Sequence, residues 1–312
     1  MPSKFDVLFQ QKVTTENQLV NYYAEEEVEL YMKREDLLHP IVSGNKFRKL
    51  KYNLKFAIDN GYNEIITFGG AYSNHISATA EACRILNLPV TGVIRGEELE
   101  KLSKEDFSSN PTLSFAHQCG MKFKFVSREL YRDKEKLQLK WKTKHPKAFF
   151  IPEGGTNQWA IKGCEEILSE EDKEFDYITS PCGTGGTIAG LIEASENHQQ
   201  LLGFPALKGD FLQQEIKNYT SKNNWKLVTD YHFGGYAKVN DHLVKWMNDF
   251  YQNTKIQLDP IYTAKMMFGI EDLIKNSFFP KNTRILAVHT GGLQGIEGVN
   301  KIRLKKGLAL ID

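Results

Sequence analysis

Two short stretches of this 312-residue chain hold residue types and spacings that could do chemistry. The first is Cys182-Gly183-Thr184-Gly185-Gly186-Thr187, which follows an apolar run around Ile178 and leads into an apolar helical face of Ile188, Leu191 and Ile192. Glycines let backbone N–H groups turn toward an anion, and a helix N-terminus adds roughly half a positive charge. Thr184 and Thr187 add hydroxyl donors, so the loop reads as a phosphate site. A Walker loop would end in Gly-Lys-Ser/Thr, and a dinucleotide loop would need glycine where Ile188 stands, so a nucleotide is the weaker ligand. A tight strand-to-helix turn without a ligand is the alternative. The second stretch is Ser43-Gly44-Asn45-Lys46, which puts Lys46 at a helix start. A lysine acts as a neutral amine only when its pKa, about 10.4 in water, is lowered, and burial or a positive helix end does that. Taken alone, Lys46 is one of 40 Lys and Arg residues, most of which must be solvated surface groups.

The elements that must position these residues follow from the hydrophobic pattern. Apolar runs alternate with amphipathic segments along most of the chain, as in a parallel α/β sheet. Strands are predicted at 64–68, 90–94, 122–126, 149–151, 177–179, 200–204 and 284–289; several are short and wholly apolar, like strands covered on both faces. Phe47, Leu50, Leu54 and Ile58 form one helical stripe, and Gly61 follows as a C-cap. Four strands run into glycine pairs, Gly69-Gly70, Gly154-Gly155, Gly185-Gly186 and Gly291-Gly292, and ligand sites of open α/β sheets lie at such strand ends. The polar stretch 99–111 predicts a surface loop or short irregular helix. No flexible linker divides the chain.

The length suits two packed domains or one large α/β domain. A formal net charge of +1, spread along the chain, gives no electrostatic basis for binding nucleic acid or a membrane and favours a small, nearly neutral ligand. No stretch reaches the roughly 18 apolar residues of a membrane span, and residues 1–10 lack the apolar core of a signal peptide, so a cytoplasmic protein is expected. Cys83, Cys119, Cys164 and Cys182 form no C-x-x-C pair, which predicts reduced, packed thiols and no metal site.

Lys33-Arg34-Glu35-Asp36, Ser43-Gly44-Asn45-Lys46-Phe47-Arg48-Lys49-Leu50, Gly69-Gly70-Ala71-Tyr72-Ser73-Asn74-His75, the Gly183–Thr187 loop and Asp259-Pro260-Ile261-Tyr262-Thr263 occur together in one order. In these the chain resembles the 1-aminocyclopropane-1-carboxylate deaminase / D-cysteine desulfhydrase family, pyridoxal 5′-phosphate (PLP) enzymes of fold type II, similar in architecture to the tryptophan synthase β subunit. The resemblance spans about residues 33–292. It implies a two-domain α/β fold of open parallel sheets flanked by helices, with a small domain at 46–155 and a large PLP-binding domain from 1–45 and 156–312. The cofactor would lie between them, and the assembly would be a homodimer acting on a small amino acid.

By the same resemblance Lys46 would carry the cofactor as a Schiff base, and Gly183, Thr184, Gly185, Gly186 and Thr187 would hold its phosphate. Asn74 would bond the cofactor's 3′ oxygen, and Thr263 or Thr290 its ring nitrogen. Ser73, Asn74 and His75 would face the substrate carboxylate with their N–H groups, Ser73 also serving catalysis; an N-cap role for Ser73 or Asn74 is compatible with that. Tyr236 and Tyr262 match two tyrosines that line the family's pocket, where a phenol can stack or move a proton.

The cofactor supplies an electron sink, and the protein selects the bond that breaks. In the deaminase branch the residue after the Asp-Pro-x-Tyr tyrosine is typically glutamate; here it is Thr263, whose neutral hydroxyl holds a protonated ring nitrogen less well. Thr263 and Ser73-Asn74-His75 look like the desulfhydrase branch, so D-cysteine, converted to pyruvate, ammonia and sulfide, is the first expectation. Tyr72 and residues 76–78 depart from the Gln and Arg often seen around that turn in the branch. The alternatives are 1-aminocyclopropane-1-carboxylate deamination, a D-serine-type dehydratase and, from another class, a non-catalytic small-molecule sensor.

Overall fold

The computed structural model describes residues 3–9, 15–105 and 107–312. Its described strands are β1 (Asn17–Tyr23), β2 (Val28–Lys33), β3 (Glu64–Gly70), β4 (Val90–Arg95), β5 (Lys122–Val126), β6 (Ala148–Ile151), β7 (Tyr177–Cys182), β8 (Gln200–Pro205), β9 (Trp225–Leu227) and β10 (Thr283–Val288). They build a six-stranded sheet in the order β1-β2-β10-β7-β8-β9 and a four-stranded sheet in the order β5-β4-β3-β6. Every pairing is parallel except β1 with β2. The inner strands are buried along nearly their whole length, as β7 and β3 show, because helices cover both faces.

All seven strands expected from the sequence are present. The hairpin β1–β2 and the three-residue β9 are additional. In β1 most residues remain partly solvated, and β2 ends on a charged residue, Lys33, which is buried against Asp172 at 2.7 Å. The polar stretch 99–111 begins inside a 3-10 helix, Glu97–Glu105, and ends at the start of the helix Pro111–Gln118; Asp106 lies outside the described residues. The four cysteines are free thiols, and all but Cys119 are buried. Among the described residues no helix is long and apolar enough to cross a membrane.

The helix Asn45–Asp59 buries Phe47, Leu50, Leu54 and Ala57 against the small sheet's core. Its stripe ends on Ala57 rather than Ile58, which is 39% exposed, because the 100° step turns residue 58 outward. Gly61, at φ +70°, closes the end in the left-handed conformation, with Tyr62 N–H donating to Ala57 O. The start of this helix is fixed from below. Glu35 is fully buried, receives Arg48 Nε at 2.7 Å and Nη2 at 2.8 Å, and accepts the Gly44 N–H through its backbone carbonyl at 2.9 Å. The Lys33–Asp36 motif is therefore a buried set of ion pairs that ties β2 to the helix carrying Lys46.

Candidate active site

Strands β2, β10 and β7 run parallel, so their C-terminal ends share one edge of the large sheet, and the segments that follow them meet there. The turn after β2 leads to Gly44, which has φ +55°; a methyl group on it would fall 2.1 Å from the carbonyl oxygen of Thr290, after β10. Only glycine fits so close an approach. Asn45 N–H donates to that same Thr290 oxygen at 3.3 Å, and Asn45 Nδ2 donates to Thr187 Oγ1, in the loop after β7, at 2.8 Å. The lysine turn, the Thr290 strand end and the glycine loop are thus in direct contact.

The glycine loop opens the helix Gly186–Ala194, whose N-cap Gly185 is left-handed at φ +79° and offers no side-chain cap. A methyl group on Gly186 would lie 2.7 Å from Thr156 Oγ1 and 3.1 Å from Lys49 Nζ. Thr184 Oγ1 and Thr156 Oγ1 are 2.6 Å apart. The loop is lined by hydroxyls and a buried ammonium, which with the helix end makes a cradle for an anion.

Lys46 Nζ donates to Gly154 O at 3.2 Å; Lys49 Nζ donates to the same oxygen at 3.4 Å and to Thr156 Oγ1 at 3.1 Å. Burial, with the Lys49 charge adding to it, lowers the Lys46 pKa to about 7. Burial also lowers Lys49. His75 is pushed well below its usual value by burial first and then by both lysines, so its ring is neutral. Its Nε2 is 2.7 Å from Thr67 Oγ1 and its Nδ1 3.5 Å from Thr79 Oγ1. The imidazole is occupied in the core, and a ligand can meet His75 only through its backbone.

β3 ends on Gly69-Gly70, and the chain then turns through Ala71 and Tyr72 into the helix Asn74–Leu86. Ser73 stands at the N-cap position but makes no capping side-chain bond, so its hydroxyl is not committed to the helix. The Ser73 N–H is taken by Gly70 O at 3.1 Å, which removes it from the N–H groups expected to face a carboxylate. Those of Asn74 and His75, at the positive helix end, make no hydrogen bond among the described residues. Asn74 reaches across to the large sheet's edge: its Nδ2 would be 2.5 Å from a methyl group on Gly292.

Tyr262 is presented by a turn that Asp259 organises. The fully buried Asp259 carboxylate accepts from the N–H groups of Ile261, Tyr262 and Thr263 at 3.0, 2.9 and 2.8 Å. Tyr262 touches the glycine loop, its hydroxyl 3.2 Å from where a side chain on Gly183 would begin. Its ring meets that of Tyr236 edge to face at 6.2 Å. Burial first, then the neighbouring Tyr236 and Asp259, raise the Tyr262 pKa well above its usual value, so the phenol keeps its proton. Thr263 is fully buried, and its hydroxyl has no hydrogen-bond partner among the described residues. Sequence alone did not single out Lys49 or explain Asp259. The signal for Lys49 was its place one helical turn after Lys46, on the same face.

A family description, pyridoxal-phosphate dependent enzyme, matches residues 10–291. The bifunctional D-cysteine desulfhydrase/1-aminocyclopropane-1-carboxylate deaminase, mitochondrial, of Arabidopsis thaliana is 31% identical over 299 residues, covering 86% of this chain and 73% of that protein. The chain belongs to this family. A putative 1-aminocyclopropane-1-carboxylate deaminase of Thermotoga maritima is 32% identical, covering 86% of this chain and 89% of that one. A crystal structure of an ACC deaminase homologue superposes with a TM-score of 0.76 at 26% identity, covering 95% of this chain and 96% of that chain. The architecture is that of the fold type II PLP enzymes, and the family's cofactor is pyridoxal phosphate.

The residues present fit that cofactor. A phosphate needs the hydroxyl, amide and ammonium donors found around Gly186, and an aldehyde needs a lysine of lowered pKa within the same site. A ring nitrogen needs one hydrogen-bond partner, and the Thr263 hydroxyl is buried without one.

Proposed function

We propose that this enzyme removes sulfide from D-cysteine, with pyruvate and ammonia as the other products after uptake of one water. The observation that carries this reading is the buried, unpartnered and uncharged hydroxyl of Thr263, placed directly after Tyr262. Lys46 would carry the cofactor, and its amine, about half unprotonated at pH 7, would take the substrate's α proton. Thr184, Thr187, Lys49 and the N–H groups at Gly185 and Gly186 would hold the phosphate. Asn74 would bond the 3′ oxygen, and Thr263, whose hydroxyl is buried without a partner among the described residues, the ring nitrogen in preference to Thr290. The Ser73 hydroxyl and the N–H groups of Asn74 and His75 would bind the substrate carboxylate. Tyr262, which keeps its proton, would steady the departing sulfur with a hydrogen bond, and Tyr236 would close the pocket behind it.

When bound, PLP supplies an electron sink for a bond breaking at the substrate's α carbon. Thr263 can hydrogen-bond the ring but gives it no negative charge, so this chain supports less delocalisation than a glutamate would. Loss of a β-thiolate makes the smaller demand, because the leaving group takes charge with it. Residues 46–155, with their own four-stranded sheet and core, would form the small domain, and 1–45 with 156–312 the large one.

Opening of 1-aminocyclopropane-1-carboxylate is the second reading, favoured by relatives such as the Thermotoga protein that carry this reaction in their names. Products decide between the two. The holoenzyme should release sulfide from D-cysteine faster than it forms 2-oxobutanoate from the cyclopropane, and Thr263→Glu should shift that ratio toward ring opening. Rapid 2-oxobutanoate formation beside negligible sulfide release from the unaltered enzyme would refute the reading.

A further inference from the structure

The loop that carries Tyr236 belongs to no helix or strand, and its backbone is held in conformations that side chains seldom adopt. Phe233, Gly234, Gly235 and Ala237 have φ of +51°, +92°, +118° and +56°. Its own hydrogen bonds are short-range: Gly235 N–H to His232 O at 3.0 Å, Lys238 N–H to Gly235 O at 3.2 Å, and Gly234 N–H to His232 Nδ1 at 3.0 Å. These shape the turn but do not place it in the molecule.

Placement comes from the helix Thr263–Lys275. Phe233 packs edge to face on Phe268 at 5.0 Å. Lys265, only 2% exposed, donates from Nζ to His232 O at 3.0 Å and to Gly235 O at 2.9 Å. No carboxylate pairs with this ammonium among the described residues; two backbone carbonyls are its partners. Burial lowers its pKa to about 8, with the Asp259 carboxylate opposing. A desolvated cation on two carbonyls makes strong, directional bonds. Lys265 stands three residues after Tyr262, so one short stretch of helix start presents one tyrosine of the pair and grips the loop of the other.

We propose that Lys265 is a positioning residue for the substrate pocket: by clamping the carbonyls of His232 and Gly235 it sets Tyr236 against Tyr262. The inference rests on the reading that Tyr236 lines the substrate pocket. A methionine at 265 would keep the volume and lose both bonds.

The test combines kinetics with hydrogen exchange on the holoenzyme. Lys265→Met should lower kcat/KM for sulfide release from D-cysteine by about 10- to 100-fold, mostly through KM. It should also speed amide exchange within residues 232–238 by about tenfold while the rest of the helix Thr263–Lys275 exchanges as before. In a Tyr236→Ala background, which has no ring left to position, the same substitution should cost less than about twofold more. Lys265→Gln, which keeps a donor, should fall between wild type and Lys265→Met, and serves if the methionine variant does not fold. Losses that multiply in the double variant, or unchanged exchange at 232–238, would overturn the proposal. Accelerated exchange in Lys265→Met beside wild-type kinetics in Tyr236→Ala would place the error in the reading of Tyr236, and the catalytic part of the inference would fall with it.

Discussion

Lys46 and Lys49, one turn apart on the same helix, donate to a single acceptor, the carbonyl oxygen of Gly154, at 3.2 and 3.4 Å. Two ammonium groups on one neutral oxygen repel, and in a buried site that repulsion helps to strip the proton from Lys46. Lys49 has a second partner in Thr156 and lies beside Gly186, so on the proposed reading Lys46 would do the chemistry and Lys49 would supply countercharge.

Replacing Lys49 with Met should weaken cofactor binding without preventing the covalent link at Lys46. A charge-assisted hydrogen bond contributes about 1.5–3 kcal/mol, or roughly 10- to 100-fold in Kd. Absorbance titration of the apoenzyme with PLP measures this. An unchanged Kd would remove Lys49 from the phosphate site.

On the reading that Lys46 carries the cofactor, its neutral amine would be the nucleophile, and its lowered pKa would set the pH dependence of cofactor capture. Because the folded protein holds it at about 7, the apoenzyme's capture rate should rise with pH through 7 and level off above about 8. A lysine of ordinary pKa would go on accelerating to about pH 10. Stopped-flow absorbance across pH 6–10 distinguishes the two, and a rate still climbing at pH 9.5 would contradict the burial argument.

Asp259 should matter for stability as much as for the pocket. Its carboxylate serves three N–H groups while itself fully buried, so Asp259→Ala should cost about 1–3 kcal/mol. Asp259→Asn, keeping one acceptor oxygen, should cost less. Urea unfolding of the two variants checks the order; equal stabilities would show that water satisfies the turn.

Much of this was legible in the sequence because it is local. Buried parallel strands appear as short apolar runs, and the four glycine pairs mark the strand ends that converge on the site. Lys46 and Thr187 were singled out separately, and the Asn45–Thr187 bond joins their segments. What stayed hidden depends on contacts between distant segments. Lys33 looks like a surface charge in the sequence, and only the buried Asp172 beside it explains a lysine at the end of β2. Lys265 looks like an exposed helical lysine, because nothing nearby in sequence tells that two carbonyls thirty residues upstream face it. The sequence places the Ser73 N–H toward a ligand, but the tight turn from Gly70 consumes it.

The most direct test of the account is to find which lysine carries the cofactor. Borohydride reduction of the coloured holoenzyme fixes the linkage, and mass spectrometry of its peptides locates it. The pyridoxyl group should be found on Lys46, with Lys46→Ala protein losing both the reducible absorbance and turnover while still binding PLP weakly. A pyridoxyl group on Lys49 or any other lysine, or normal turnover in Lys46→Ala, would contradict it.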